Sequence, residues 1–222
     1  MELIHTIYEP TGAGPHPAIL TLHGRGANAF DLLALAPYLC GGKFLMICPQ
    51  APLEISLGPS AVGYAWYPMS MGGPPDVGAM LSARKRLEIF LDECLEHYSI
   101  DAKKLVVLGF SQGGVMAYGL ALAQPERFAA LAALSSWLPP ELAAEIAVPE
   151  AVQSLPTLVQ HGTEDPTIEV DRARDTMERL RQLKLPLTYK EYDMGHEIRP
   201  RSLTDLSAWL EEKILSPILL GI

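Results

Sequence analysis

The chain has 222 residues, 49% of them hydrophobic and 19% charged, which suits one folded domain with a sizeable core and does not suit a disordered chain. A formal charge of −9 without any Lys/Arg cluster makes it a poor candidate for a nucleic-acid binder. Cys40, Cys48 and Cys94 have no C-x-x-C spacing and cannot all pair, so they read as reduced core thiols in a cytoplasmic protein, with no metal site expected. The N-terminal Met1 to His5 lacks a basic n-region and a long apolar run, and no stretch reaches the length of a membrane span.

In chain order, Leu3 to Tyr8 alternates like an edge strand, and Thr11 to Pro15 is a turn. Pro17 to Leu22 is an apolar run of strand length ending at His23-Gly24-Arg25-Gly26. Phe30 to Leu39 has helical spacing, and Phe44 to Cys48 is a third strand. The segment from about 51 to 75 reads as irregular: it holds Pro52, Pro59, Pro68, Pro74 and Pro75 together with Tyr64, Trp66, Tyr67, Met69 and Met71. Two readings stand side by side, a wall of a substrate pocket (Trp66, Met69, Met71) or a cover whose aromatics fill core. Asp76 to Tyr98 reads as one long helix with Asp76 as N-cap. Leu105 to Leu108 is a strand, Val115 to Ala123 a helix, Phe128 to Leu134 a strand and Glu141 to Ala147 a short helix. Thr157 to Gln160, Glu169 to Leu183, Leu187 to Tyr192 and Ser202 to Leu215 continue the alternation as strand, helix, strand and helix. The apolar tail 218–222 is expected to dock on the body or on a second subunit. Strands alternating with helices predict an α/β fold with a mostly parallel sheet covered on both faces, in a single domain over 1–222.

Gly109-Phe110-Ser111-Gln112-Gly113-Gly114 lies between an apolar strand and a helix. G-x-S-x-G in that setting is the nucleophile elbow of α/β-hydrolases, a reversal so sharp that small neighbours are needed on either side of the serine. Two further strand-end loops carry chemistry, giving the order Ser111, Asp165, His196. A serine hydroxyl needs a base that takes its proton near neutral pH, and a carboxylate to hold that base in one tautomer. Among the six histidines, His5, His16 and His97 lie outside these loops, and His23 and His161 suit bonds within their own loops. His196 is free to reach back over the elbow. Asp165 is preferred to its neighbour Glu164 and to Asp193, which reads as a turn residue. Oxyanion donors are expected from the backbone N–H groups of Gln112 and Arg25.

These blocks, with Leu134-Ser135-Ser136-Trp137-Leu138-Pro139, His161-Gly162-Thr163-Glu164-Asp165 and Gly195-His196-Glu197-Ile198, resemble the phospholipase/carboxylesterase family, in family order and over most of the chain. The resemblance implies an α/β-hydrolase fold with about seven strands. It implies a serine hydrolase for carboxylic esters or thioesters that needs no cofactor or metal and is often a homodimer. It supports Ser111, Asp165 and His196 as triad, with the Arg25 and Gln112 amides as oxyanion donors; Trp137 joins Trp66, Met69 and Met71 as a candidate for substrate contact. Trp66-Tyr67-Pro68 and Thr167-Ile168-Glu169 depart from the family pattern, so substrate preference carries over least. The leading expectation is an esterase for short to medium acyl chains. The alternatives are an acyl-protein thioesterase, a dienelactone-hydrolase-like enzyme, against which Ser111 argues, and a silent binding module, against which three filled triad positions argue.

Overall fold

The apolar runs become a central sheet. In the computed structural model, which describes residues 1–69 and 75–216, the chain forms β1 (His5–Tyr8), β2 (His16–Leu22), β3 (Leu45–Pro49), β4 (Leu53–Gly58), β5 (Ala61–Ala65) and α1 (Val77–His97). It continues as β6 (Ile100–Phe110), α2 (Gln112–Ala123), β7 (Ala130–Leu134), α3 (Pro140–Glu145), β8 (Thr157–Gly162), α4 (Val170–Gln182), β9 (Leu187–Tyr192) and α5 (Pro200–Leu210). Seven strands pair in the order β1-β3-β2-β6-β7-β8-β9, with only β1 antiparallel. This is the α/β-hydrolase arrangement, with loops after β2, β6, β8 and β9 gathered at one sheet edge. Among the described residues no helix is long and apolar enough to cross a membrane.

Strand alternation divides the interior. On β6, Leu105 and Val107 join the core beneath α1 and α2, where Phe90, Met116 and Tyr118 pack. Val106 and Leu108 face the opposite core with Leu206, Trp209 and Leu210 of α5. The long helix forms where its N-cap is expected: Asp76 Oδ1 accepts the Ala79 N–H at 2.9 Å.

Two expectations change. The helix over 30–39 is only a 3₁₀ turn, Leu33–Tyr38, with Pro37 inside it. Proline has no N–H and crowds the preceding turn, so an α-helix cannot run through that stretch. The segment over 51–75 is also less irregular than expected. β4 and β5 form an antiparallel hairpin, with Leu53 opposite Ala65 and Ile55 opposite Gly63. Its prolines stand outside the ladder: Pro52 precedes β4, Pro59 lies in the turn and Pro68 follows β5. Met71 and the tail 218–222 lie outside the described residues.

The hairpin props the loop after β2. Gly26 N–H donates to Tyr64 O at 2.8 Å, and Tyr64 N–H donates to Ala27 O at 3.0 Å. Gly63 has no room for a side chain, because a Cβ there would enter the Gly26 carbonyl. Trp66 is 1% exposed, and its Nε1–H donates to His23 O at 2.9 Å. Trp66 is therefore a core brace and not part of a pocket wall. His23 Nδ1–H donates to Gly24 O at 2.7 Å, and its Nε2 accepts the Ala51 N–H at 3.0 Å. Those two bonds fix a neutral tautomer, and burial holds this imidazole below the ordinary histidine range against weaker opposing contributions from Gly24 and Asp31.

Trp66→Phe keeps most of the buried ring but leaves the His23 carbonyl without its donor. It should cost about 1–3 kcal/mol in urea denaturation, and Trp66→Ala about 3–5 kcal/mol through the added cavity. A change under about 0.5 kcal/mol in both would contradict the bracing role. The buried neutral His23 also sets a pH slope. Its folded pKa lies below the ordinary value of 6.5, so the unfolded chain binds more protons at acidic pH. Its contribution to stability is present above about pH 6.5 and is lost as pH falls. The denaturation midpoint should drop between pH 7 and 5.5, and the slope should be shallower in His23→Gln.

Candidate active site

Ser111 occupies the turn from β6 into α2 with φ 53° and ψ −119°. That conformation costs about 1–3 kcal/mol for a residue with a side chain and persists only where the surroundings impose it. The Ser111 N–H donates to Leu134 O at 2.9 Å, and Ser136 Oγ–H donates to Ser111 O at 2.7 Å. The backbones close in behind it. A Cβ on Gly109 would strike the Gly113 backbone, and one on Gly113 would strike the Leu22 and His23 carbonyls. Glycine at both positions is what allows the turn to pack.

His196, from the loop after β9, stands over this turn. Its Nε2 lies 2.9 Å from Ser111 Oγ, and its Nδ1 lies 2.7 Å from Asp165 Oδ2. The Phe110 ring lies against it with centroids 4.9 Å apart. A carboxylate only accepts, so Nδ1 carries the proton, and Nε2 is left to accept the Ser111 hydroxyl. Asp165 is buried at the end of β8, and its Oδ1 accepts the N–H groups of Thr167 at 2.8 Å and Ile168 at 2.9 Å. The carboxylate is thus oriented by three hydrogen bonds. Glu164 and Asp193 are exposed and do not reach the imidazole.

A second histidine lies beneath Asp165. His161 Nε2–H donates to Ile168 O at 2.7 Å and lies 3.4 Å from Asp165 Oδ2. Burial lowers its pKa, partly opposed by the Ile168 carbonyl and the Asp165 charge. This ring stays neutral and ties down the loop that carries Asp165.

The two backbone N–H groups expected to face an oxyanion lie on α2 and on the loop after β2. The Gln112 N–H is the first of α2, a position that helix geometry leaves without an intrahelical acceptor. Among the described residues the Arg25 N–H donates to no protein acceptor. The Gln112 side chain is buried and clamped: Oε1 accepts the Trp66 N–H and Nε2–H donates to Tyr67 O, both at 2.8 Å. One residue therefore ties the first turn of α2 to the chain leaving the hairpin. The sequence offered only its place after the serine as a signal.

Ser111 and His196 open onto a cleft of about 800 Å³. Tyr67, Pro68, Met69, Met80, Val115, Trp137 and Ile168 give it apolar walls, and Arg25, Glu141 and Arg172 give it charge. Of the residues expected at a substrate pocket, Met69 and Trp137 line this cleft and the buried Trp66 does not. The Arg172 guanidinium lies 4.5 Å from the Trp137 ring centroid, a pair with no sequence signature. Among the described residues no group of three His, Cys, Asp or Glu side chains is gathered for a metal ion.

The signature of the Phospholipase/Carboxylesterase family matches residues 5–214. Acyl-protein thioesterase 1 of Mycosarcoma maydis is 27% identical over 230 residues, covering 92% of this chain and 94% of that protein. The crystal structure of esterase PE8 superposes with a TM-score of 0.82 at 25% identity, covering 96% of this chain and all (100%) of that one. The Bacillus cereus carboxylesterase superposes with a TM-score of 0.80, covering 94% of this chain and 93% of that one; at 19% identity that likeness speaks for the fold alone. With the family signature running along nearly its whole length, the chain belongs to the phospholipase/carboxylesterase family of α/β-hydrolases.

Proposed function

We propose that the protein is a serine carboxylesterase that hydrolyses short- to medium-chain carboxylic esters through an acyl-enzyme, with Ser111, His196 and Asp165 as its triad. The observation that carries this reading is the unbroken line from Asp165 Oδ2 through His196 to Ser111 Oγ, with steps of 2.7 and 2.9 Å. Ser111 Oγ attacks the ester carbonyl carbon, and its proton passes to His196 Nε2. The carbonyl electron pair moves onto oxygen, which the Arg25 and Gln112 N–H groups receive. Collapse expels the alcohol, which takes the proton from His196. Water then repeats the sequence on the acyl-enzyme and releases the acid. The chain's own groups supply every proton step, so the reading calls for no cofactor.

The short-chain preference is supported by the cleft. Its apolar walls are interrupted by Arg25, Glu141 and Arg172, so a palmitoyl chain would pass ionised groups. The thioesterase reading rests on the name of a relative and lacks an observation of its own. Three free, buried cysteines support a reducing, cytoplasmic setting.

Ser111→Ala should lower kcat on p-nitrophenyl butyrate by roughly 10⁴-fold or more, and Ser111→Ala with His196→Ala should lose little beyond that. Asp165→Asn should cost roughly 10³- to 10⁴-fold, because an amide can hold the imidazole in the wrong tautomer. Turnover by Ser111→Ala at the wild-type rate would remove the assignment. Across p-nitrophenyl esters from acetyl to palmitoyl, kcat/KM should peak between butyryl and octanoyl, and Met69→Ala should move the peak. A maximum at palmitoyl would give the lead to the thioesterase reading.

A further inference from the structure

Two guanidinium groups, Arg25 and Arg172, line the cleft that holds Ser111, and among the described residues neither belongs to an ion pair. Arg172 is the less expected of the two. It lies in the first turn of α4, where the helix dipole disfavours a cation. The acidic neighbour on that turn is engaged elsewhere: Asp171 pairs with Arg174 at 2.9 Å, and Arg174 continues to Glu191 at 2.8 Å. What holds Arg172 is Trp137, which itself lines the cleft, with the guanidinium carbon 4.5 Å from the ring centroid. Stacking uses the face of a guanidinium and leaves its in-plane N–H donors able to meet an oxyacid. Glu141 lines the same cleft from α3, outside ion-pair distance of either arginine. With one carboxylate and two guanidiniums, the lining is locally cationic on a protein whose formal charge is −9. The net charge of the protein repels an anionic ester at long range, whereas the cationic lining of the cleft attracts it.

We propose that Arg172, stacked on Trp137, is a specificity residue for esters that carry a second, ionised oxyacid group, a carboxylate or a phosphate, with Arg25 adding to the local field. This deepens the esterase reading and rests on it. The ester carbonyl sits at Ser111, the methylene chain lies along the apolar wall, and the distal anion meets the in-plane donors of Arg172.

The test compares esters of one acyl length. Mono-p-nitrophenyl glutarate carries a distal carboxylate, p-nitrophenyl 4-phosphonobutanoate a distal phosphonate, and p-nitrophenyl pentanoate neither. The wild type should favour at least one anionic ester over the neutral one at low salt, and the preference should shrink as ionic strength rises. The arm with the larger ratio identifies the oxyacid. In Arg172→Gln the anionic-to-neutral ratio of kcat/KM should fall about tenfold, the effect expected of a charge-assisted hydrogen bond. Arg172→Lys should keep part of the ratio, and Arg172→Glu should reverse it in favour of p-nitrophenyl 4-(trimethylammonio)butanoate. An unchanged ratio in Arg172→Gln overturns the proposal, and so does a fall in stability alone, which would make Arg172 only a prop for Trp137. Binding separates this test from the esterase reading. Ser111→Ala should bind monomethyl glutarate in calorimetry, and adding Arg172→Gln should weaken that binding about tenfold. That result upholds the anion subsite even if no ester is turned over, whereas turnover of neutral esters without anion preference sinks the subsite and leaves the esterase.

Discussion

Ser111 sits at a positive φ that a residue with a side chain adopts only under constraint, and much of the architecture serves to impose it. β6 must end and α2 begin within one residue, so two backbones approach to a distance that admits no Cβ at Gly109 or Gly113. The carbonyls of Leu22 and His23 occupy the space beside Gly113, so β2 is part of the same contact. The central parallel strands are thus fitted to each other through the elbow. The opening of the Ser111 hydroxyl onto the cleft follows from this fit.

A second set of contacts holds the loop after β2. The hairpin of β4 and β5 pairs with Gly26 and Ala27, Trp66 bonds the His23 carbonyl, and Ala51 bonds the His23 ring. Gln112 closes the circuit by gripping the backbone at Trp66 and Tyr67 from α2. The two N–H groups assigned to the oxyanion belong to elements fixed to each other through a third. Donors held before substrate arrives need little reorganisation during the reaction, and this is where such sites gain most of their effect.

The parts of this arrangement legible in the sequence were those with local signatures. The strand-helix alternation, the N-cap at Asp76, the elbow around Ser111 and the loops carrying Asp165 and His196 each sit within a few consecutive residues. Phe30 to Leu39 misled because helical spacing of apolar residues says nothing of Pro37. The hairpin was hidden by its prolines, although Leu53, Ile55 and Leu57 alternate as a strand does. Trp66 looked like a wall residue because a solitary tryptophan in a loop has no period to assign it to the core. The Arg172–Trp137 stack and the Gln112 clamp join residues far apart in the chain, and nothing in local pattern foretells such pairs.

That distance along the chain has a consequence for folding. Ser111 and His196 are 85 residues apart, Gln112 and Trp66 are 46 apart, and Trp66 and His23 are 43 apart. Each link closes a long loop whose entropy must be offset by packing already in place. The Ser111–His196 link cannot form in a fragment that stops before β9, because His196 follows that strand in the chain. During synthesis, therefore, the nascent chain carries Ser111 without the imidazole that lies 2.9 Å from its hydroxyl until β9 and the loop after it have emerged.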